Sequence, residues 1–339
     1  MPDQSNVSPD RTPRVEVPVD VLCLGESMAL FVPTEAGPPE RVRMWTRTVG
    51  GAESNVACHL AGMGVAAAWV SAVGDDAFGR AVADFVAGFG VDVSRVRVDP
   101  SRPTGLYVKE SDAGGSPVRY YRRGSAASAM GPELVAELPL DQVRIVHTSG
   151  ITPALSDSCL ALVRELVAAP RRTHLLSFDL NWRPALWRDR DPAVLRELAA
   201  AADIVLVGAD EALAVWDADG PAAIRELLPE PGTLVVKQAE QGATLVERDP
   251  DTGRDRPPVV QPALRVDVVE PVGAGDAFAA GFLAATLAGA PPRRRLRAGH
   301  LQAAAVLRTT EDVCPPLPAD LVTRLTEADD DEWAAAHLR

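Results

Sequence analysis

The feature that most constrains the fold is the alternation of short apolar strands with helical patterns. The predicted strands cover 19–24, 67–73, 143–147, 174–178, 204–207, 233–236 and 243–246. The predicted helices cover 54–63, 77–89, 156–168, 192–201 and 276–287. Strands that alternate with helices favour a mostly parallel sheet with helices on both faces. We therefore predict an α/β fold.

Two segments interrupt this alternation. Residues 40–48 and 96–123 have the period of two that is typical of exposed strands, and the second contains TGLYVKE and SPVRYYRRG. The glycine-containing stretch 111–116 lies between these two pieces and predicts a turn. We predict a small β-sheet that covers the larger sheet as a lid.

The domain organisation is predicted from local composition. Residues 1–17 are polar and rich in proline, which predicts a disordered tail. Residues 18–330 are expected to form the folded domain, and 331–339 a C-terminal tail. The N-terminus has no apolar signal core, and the longest uncharged apolar run, 277–290, is too short to cross a bilayer. We expect a cytoplasmic protein without a membrane partner.

The charge balance limits the partners of the chain. Its formal net charge of −13 argues against DNA or RNA binding, because phosphate attraction needs a basic surface. Only Lys109 and Lys237 are lysines, so nearly all positive charge is guanidinium. The arginine cluster at 293–297 is expected to be a solvated helix start. The cysteines form no CxxC pair and are expected to be buried, reduced thiols: Cys23, Cys58, Cys159 and Cys314.

A glycine-rich turn predicts an anion site. Gly273, Ala274 and Gly275 lead directly into an apolar helix, so unpaired backbone N–H groups and the positive helix end point at one place. Asp276 is the next residue, and it has two interpretations: it takes a proton from an attacking group, or it caps the helix. A GxxxxGK[ST] loop is absent, and Phe278 stands where GxGxxG would need its third glycine. The usual P-loop and dinucleotide motifs are therefore disfavoured.

Two motifs carry a resemblance to a known family. GAGDAFAAGF at 273–282 and GGAESNVA at 50–57 resemble the two signature regions of the ribokinase-like (PfkB) carbohydrate kinases, and the resemblance extends over about 19–325. It implies a lidded α/β fold, ATP, Mg²⁺ and phosphoryl transfer to a sugar hydroxyl. Asp276 would be the catalytic base. The N–H groups of Gly273, Ala274 and Gly275 would form the anion hole.

The resemblance also implies a nucleotide side. Lys237 and Gly242, in TLVVKQAEQGA, match the strand and glycine that lie beside the nucleotide, although Lys237 also fits an exposed strand end. Ala239 replaces a glycine that the family commonly has. In the Asn-x-x-Glu motif Gly208 replaces the asparagine, whereas Glu211 keeps the acid that acts indirectly on Mg²⁺.

The residues before the glycine turn also depart from the family. Glu270 and Pro271 stand where many relatives have Asp and Thr. Glu270 keeps the negative charge, which leaves a K⁺ site in this region open.

Further segments resemble the branch of the family that acts on 2-keto-3-deoxygluconate. The resemblance implies a sugar-acid site built, together with Asp276, from Gly51, Asn55, Tyr107, Tyr121, Arg123 and Arg183. Guanidinium groups bind carboxylates as forks, whereas a neutral hexose would not need them. The alternatives are a core or dimer contact for the tyrosines, a surface ion pair for Arg123, packing on Trp182 or a phosphate contact for Arg183, and a backbone contact for Asn55.

The predicted function is ATP-dependent phosphorylation of the terminal hydroxyl of 2-dehydro-3-deoxy-D-gluconate. A kinase of a neutral sugar such as fructose or ribose is the nearest alternative. The departures at Gly208 and Ala239 also allow a non-catalytic sugar-binding regulator. A dinucleotide oxidoreductase is the weakest alternative, because no GxGxxG follows the first strand. Exposed lid edges predict a homo-oligomer.

Overall fold

The order of elements follows the predicted alternation. The structure is a computed structural model that describes residues 18–35, 37–109, 118–170 and 173–338; the predicted tail at 1–17 and turn at 111–116 lie outside them. The strands are β1 Val21–Leu24, β2 Met28–Pro33, β3 Trp45–Gly50, β4 Ala67–Gly74, β5 Val96–Asp99, β6 Leu106–Lys109, β7 Val118–Tyr121, β8 Ile145–Ser149, β9 Leu175–Asp179, β10 Ile204–Gly208, β11 Thr233–Lys237, β12 Ala243–Glu247, β13 Val259–Gln261, β14 Arg265–Val266 and β15 His337–Leu338. The helices are α1 Ala52–Gly62, α2 Ala77–Gly88, α3 Asp157–Ala168, α4 Pro184–Trp187, α5 Ala193–Ala200, α6 Ala209–Trp216, α7 Gly220–Leu227, α8 Ala274–Leu287, α9 Pro292–Leu307, α10 Ala319–Glu327 and α11 Asp330–Ala335.

The large sheet has the strand order β13-β12-β11-β10-β9-β8-β1-β4-β5. From β11 to β5 every neighbouring pair is parallel, and the antiparallel strands β12 and β13 extend one edge. Alternate residues of β1 enter different cores: Leu22 packs with α3 and α5, whereas Cys23 packs with α1, α2, α8 and α9. Helices therefore cover both faces, and the predicted α/β fold class is confirmed.

The small sheet has the order β3-β2-β6-β7 and is the lid. Its central pair, β2 and β6, is parallel, whereas β2 with β3 and β6 with β7 are antiparallel. The lid differs from the prediction in two strands. Residues 28–33 belong to it, whereas 96–99, predicted as part of it, pair with β4 in the large sheet. Sequence alternation cannot tell which sheet an edge strand will join.

The C-terminal segment also differs from the predicted tail. β15 pairs with β14, and Trp333 of α11 is buried, with its indole N–H donating to the carbonyl of Pro262 at 2.9 Å. The guanidinium of Arg297 lies 4.9 Å from the Trp333 ring centroid and is itself buried, so the arginine cluster is only partly solvated. Among the described residues, no helix combines the length and apolar character needed to cross a membrane. The four cysteines are buried, free thiols.

Helix α8 carries the glycine turn at its start and packs closely on α9. A β-carbon on Gly281 would lie 2.3 Å from the carbonyl oxygen of Ala298, so this helix crossing depends on the missing side chain. The close packing of α8 on α9 and on the core below fixes the direction of the α8 N-terminus, where the predicted anion site lies.

We predict that Gly281→Ala destabilises the fold by about 1–3 kcal/mol, because the added methyl overpacks the contact between α8 and α9. Gly88→Ala is the matched control: outside its own helix, no described atom lies within 4 Å of the added methyl. The control should be neutral or stabilising by up to about 1 kcal/mol. Urea unfolding of both variants measures the difference, and a Gly281→Ala variant as stable as the parent would contradict the packing argument.

Candidate active site

Two adjoining cavities lie at the carboxyl ends of the parallel strands. The lid cavity, of about 410 Å³, is enclosed between lid residues such as Tyr107 and the start of α8 at Asp276. The strand-end cavity, of about 780 Å³, runs outward along β10 and β11. The two share four wall residues: Glu211, Lys237, Pro271 and Gly275. A ligand in one cavity therefore meets a ligand in the other at the start of α8.

The glycine turn adopts a backbone that other residues rarely accept. Gly273, with φ of 84°, is the N-cap residue of α8. A β-carbon there would also lie 2.8 Å from the carbonyl oxygen of Asp312. The first N–H groups of a helix have no intrahelical partners, and the helix dipole adds positive potential. The predicted anion site of Gly273, Ala274 and Gly275 thus lies where the two cavities meet, and in this structure the N–H of Ala274 donates to the carbonyl of Pro271 at 3.4 Å.

Asp276 lies on the wall of the lid cavity beside this anion site. Asn55 donates a hydrogen bond to its Oδ2 at 2.9 Å, and Asn181 donates to its Oδ1 at 3.4 Å. Burial raises the pKa of Asp276 to about 7 and Asp179 adds to the increase, although the Asn55 hydrogen bond opposes it. A carboxylate with a pKa near neutrality is suited to general base catalysis. The printed partners of the Asp276 carboxylate are the two asparagine side chains and no backbone N–H of this helix start, which does not support the helix-cap alternative.

Asn181 holds its position with a left-handed backbone. Its φ is 40°, a region in which asparagine is tolerated better than most residues other than glycine. Asn181 and Asn55 come from distant parts of the chain, and both orient the same carboxylate. The prediction for Asn55 named sugar or backbone contacts, and the structure adds Asp276 as its partner.

Lys237 forms a buried ion pair at the boundary between the cavities. Its Nζ lies 2.9 and 3.0 Å from the two carboxylate oxygens of Asp179. Burial lowers the pKa of Lys237, but attraction to Asp179 and Glu211 outweighs it and the net pKa is raised. The lysine therefore stays charged, and its Nζ lies 3.6 Å from the place of a β-carbon on Gly275. Phosphate groups at the anion site would meet this ammonium.

Glu211 is held by backbone N–H groups rather than left free for a metal. Its Oε2 accepts from the N–H of Gly208 at 2.8 Å, and its Oε1 accepts from the N–H of Trp182 at 3.0 Å. Burial raises its pKa. Within the described parts of the chain no three His, Cys, Asp or Glu residues form a metal cluster. Mg²⁺ often keeps several waters and binds through phosphates, so the site fits an indirect contact of Glu211 with the ion.

The strand-end cavity contains the predicted nucleotide-side residues. Gly242, with φ of 116°, could not carry a β-carbon, which would lie 2.2 Å from the carbonyl oxygen of Gln261. Ala239, where relatives commonly have glycine, takes a positive φ of 49°. Ala239 therefore keeps the left-handed backbone. His300 and His337, not predicted here, also line this cavity.

On the lid side, Gly51, Tyr107 and Arg183 line the lid cavity as predicted. A β-carbon on Gly51 would lie 2.4 Å from the carbonyl oxygen of Glu26, which explains the glycine. Tyr107 is buried and its hydroxyl donates to Oδ2 of Asp312 at 3.3 Å. Arg183 is exposed and donates to the carbonyl of Trp182 at 3.0 Å.

Tyr121 and Arg123 do not line the cavity, and the structure corrects these two assignments by one residue. Their neighbours Tyr120 and Arg122 line it instead. Side chains alternate along a strand, so within β7 residues 118 and 120 share one face and 121 lies on the other. Arg122 and Arg123 directly follow β7, and of these two only Arg122 lines the cavity. Tyr121 is exposed on the outer face. The two-residue period that starts at Val118 contained this information, but only the structure shows which face turns inward.

Arg122 forms an ion pair with the buried carboxylate of Glu26. Its Nε donates to Oε2 of Glu26 at 2.6 Å, and the hydroxyl of Ser125 donates to Oε1 of the same carboxylate at 2.5 Å. The guanidinium also lies 5.5 Å from the ring centroid of Tyr120, which stacks on Tyr107 at 5.4 Å. Glu26 is buried and its carboxylate neutralises and orients Arg122 at the wall of the lid cavity.

The large sheet has helices on both faces and is covered by a lid, and the carboxylate of Asp276 lies at the N-terminus of helix α8. This combination is typical of a small-molecule phosphotransferase. The chain belongs to the pfkB family of carbohydrate kinases, whose profile matches residues 19–319. It is 36% identical to a 2-dehydro-3-deoxygluconokinase of Thermoproteus tenax, over 83% of this chain and 86% of that one. It is 32% identical to a 2-dehydro-3-deoxygalactonokinase of Haloferax volcanii, over 92% and 98% of the two chains. A PfkB protein from Polaromonas sp. JS666 has a similar structure, with a TM-score of 0.76, 32% identity and coverage of 86% and 97%. The predicted family is confirmed.

We predict that sugar kinase turnover depends on the ionisation of Asp276. Because its pKa is about 7 and only the carboxylate accepts a proton, kcat/KM should rise with pH through about 7 and then level off. Asp276→Asn should lose turnover while it keeps ATP binding. At pH 8 its melting temperature should not fall, because the substitution removes a buried charge and keeps the shape.

Asp84→Asn is the control, since Asp84 is exposed on α2. ADP release measured from pH 5.5 to 9 should give the same profile for this control and the parent. Retained turnover in Asp276→Asn would exclude the carboxylate as base.

Proposed function

We propose that the chain transfers the γ-phosphoryl group of ATP to the terminal hydroxyl of 2-dehydro-3-deoxy-D-gluconate. The observation that carries this proposal is the lid cavity, which Arg122, Arg183 and Asp276 all line. Sugar acids have a carboxylate at one end and a hydroxyl at the other. A carboxylate at the arginines would place the far hydroxyl toward the carboxylate of Asp276.

The two arginines have different roles in this proposal. Arg122 is neutralised by Glu26, so its contribution is directional hydrogen bonding beside the tyrosine pair. Arg183 is exposed and uses one N–H on the carbonyl of Trp182, which leaves further donors in a fork for a carboxylate. Arg183 therefore supplies the net positive charge for the acid. Tyr107 and Tyr120 provide the apolar floor below the sugar carbons.

The reaction that this geometry supports is an in-line phosphoryl transfer. Asp276 takes the proton of the terminal hydroxyl as that oxygen attacks the γ-phosphorus, and the bond from the γ-phosphorus to the bridging oxygen breaks so that ADP leaves. The N–H groups of the glycine turn stabilise the negative charge that spreads over the transferred group. Lys237 would hold phosphate oxygens at the boundary between the cavities. Mg²⁺ would neutralise the phosphates, with Glu211 in contact through its water shell.

The nearest alternatives differ in the sugar. The Haloferax volcanii relative carries a galactonate name, and the two sugar acids differ in the orientation of one hydroxyl, so both belong in the substrate test. A neutral sugar would leave the exposed fork of Arg183 without a partner. The regulatory alternative is less supported, because the base and the anion turn are both in place despite Gly208 and Ala239.

Three further parts of the proposal concern the surroundings of the site. Self-association through the lid is supported by its outer strands β3 and β7, whose edges lack a partner strand in the small sheet, and by exposed Tyr121. Comparing the sedimentation of the parent with that of Tyr121→Glu tests this self-association.

K⁺ stimulation near Glu270 is tested by comparing turnover in potassium and tetramethylammonium chloride. A cytoplasmic location agrees with the use of ATP as substrate.

We predict that the parent releases ADP faster with 2-dehydro-3-deoxygluconate and 2-dehydro-3-deoxygalactonate than with fructose or ribose. Arg183→Leu should raise KM for the preferred acid by about tenfold or more, because a charged hydrogen bond is lost, and should leave KM for ATP nearly unchanged. A preference for the neutral sugars would overturn the sugar-acid proposal while leaving the kinase family intact.

The matched control is Arg123→Leu, which removes the same charge from the exposed turn that follows β7. Its KM for the acid should stay within about twofold of the parent, since exposed substitutions away from a site have small effects. If Arg123→Leu impaired acid binding and Arg183→Leu did not, the assignment made from the cavity would be wrong.

A further inference from the structure

Lys109 is a buried lysine that the reaction described above does not use. It ends strand β6 of the lid and lines the lid cavity. Its Nζ lies 3.8 Å from Oε2 of Glu270 and 3.6 Å from Oδ1 of Asp312. Neither acid belongs to the lid: Glu270 precedes the glycine turn, and Asp312 lies in the loop after α9. The ammonium of Lys109, a residue of the lid, therefore lies between two carboxylates of the large domain.

Asp312 contacts both halves of the active site. Its carboxylate accepts a hydrogen bond from the hydroxyl of Tyr107 on the sugar side, and its backbone carbonyl lies 2.8 Å from the place of a β-carbon on Gly273. The ring of His59 also contacts that carbonyl, at 3.3 Å. Asp312 therefore lies between the sugar side of the site and the first residue of the predicted anion hole.

The charges of this cluster do not balance without Lys109. Glu270 and Asp312 flank the glycine turn, and Oδ1 of Asp312 is buried without a hydrogen-bond partner. Burial raises the pKa of Asp312, whereas Lys109 lowers it. An additional carboxylate charge beside the turn would repel a transferred phosphoryl group, since like charges in a partly buried site interact strongly. The ammonium of Lys109 offsets this repulsion.

The arrangement differs from the ion pair of Lys237. Lys237 lies within hydrogen-bond distance of Asp179, whereas the distances of Lys109 to its two acids exceed a normal hydrogen bond. Lys109, Tyr107 and Tyr120 belong to the same lid strands, so a sugar held by the tyrosines also places the ammonium.

We propose that Lys109 is a positioning residue that couples occupation of the lid cavity to the shape and charge of the anion hole. Placed between Glu270 and Asp312, its ammonium holds the Asp312 loop against Gly273 and removes excess negative charge from the path of the phosphoryl group. Its effect is on the transfer step and not on nucleotide binding. The inference rests on the proposed kinase function but not on which sugar is preferred.

The test compares Lys109→Met, Asp312→Asn and the double variant with the parent. Lys109→Met should lower kcat by about 100-fold, as loss of a group that stabilises transition-state charge does, with KM for ATP changed by less than about threefold. Asp312→Asn keeps the shape and removes one negative charge. The double variant should therefore recover about tenfold of the lost kcat, because the two changes compensate.

Thr48→Val is the matched control, since the hydroxyl of Thr48 also joins the lid to the same loop, through exposed Glu311 at 3.2 Å. Its kcat should stay within about twofold of the parent, since it lacks a buried charge. The double variant also tests the proposal if Lys109→Met folds poorly, because the removal of both charges relieves the unpaired acid.

Two results would overturn the inference: kcat of Lys109→Met within about threefold of the parent, or a double variant no faster than Lys109→Met. The parent is first assayed on the sugar panel, and all variants are measured with the sugar that it uses best. A parent that prefers fructose or ribose would count against the proposed substrate alone. The comparison of Lys109 variants would then still decide the coupling.

Discussion

The parallel register of three neighbouring strands decides where the chemistry of this chain takes place. Leu206 of β10 pairs with Asp179 at the end of β9, and Gly208 pairs with Lys237 at the end of β11. Parallel strands place their carboxyl ends on one edge of the sheet, so the acid and the lysine meet there without any long side-chain reach. Helix α8 then points its N-terminus at the same edge. Asp276, the anion turn and the two cavities all depend on this shared edge.

The site concentrates acids where a highly charged nucleotide must bind. Asp179, Glu211, Asp276, Glu270 and Asp312 lie around the two cavities, and Lys109 and Lys237 are the only lysines that face them. Hydrogen bonds from backbone N–H groups, asparagines and the tyrosine hydroxyl hold most of these acids in place. Burial, with a smaller contribution from the neighbouring Asp179, raises the pKa of Asp276, and the two lysines are the ammonium groups that offset the surrounding carboxylates.

Local patterns were enough to predict the main alternation of strands and helices, but not the helices α6, α7, α10 and α11. The glycine turn and Asp276 are contiguous in sequence, so their mutual placement follows from helix geometry alone. Tyr121 and Arg123 were off by one residue because strand alternation defines two faces without telling which one turns toward the cavity. The contacts of Lys109 with Glu270 and Asp312 join residues from three distant segments, and no local pattern encodes them. Arg297 was predicted as solvated because a sequence does not show that Trp333 will cover it.

The interleaved order of the lid strands has a consequence for how the protein folds. In chain order, the lid strands β2 and β3 follow β1, and the lid strands β6 and β7 follow β5. The two halves of the lid are joined by the parallel pairing of β2 with β6. That pair joins residues about eighty positions apart, so the loop between them must close before the lid gains its central hydrogen bonds. In the folded protein, the pairing of β1, β4 and β5 holds the starts of these two excursions side by side. A covered active site therefore depends on contacts of the large sheet as well as on those within the lid.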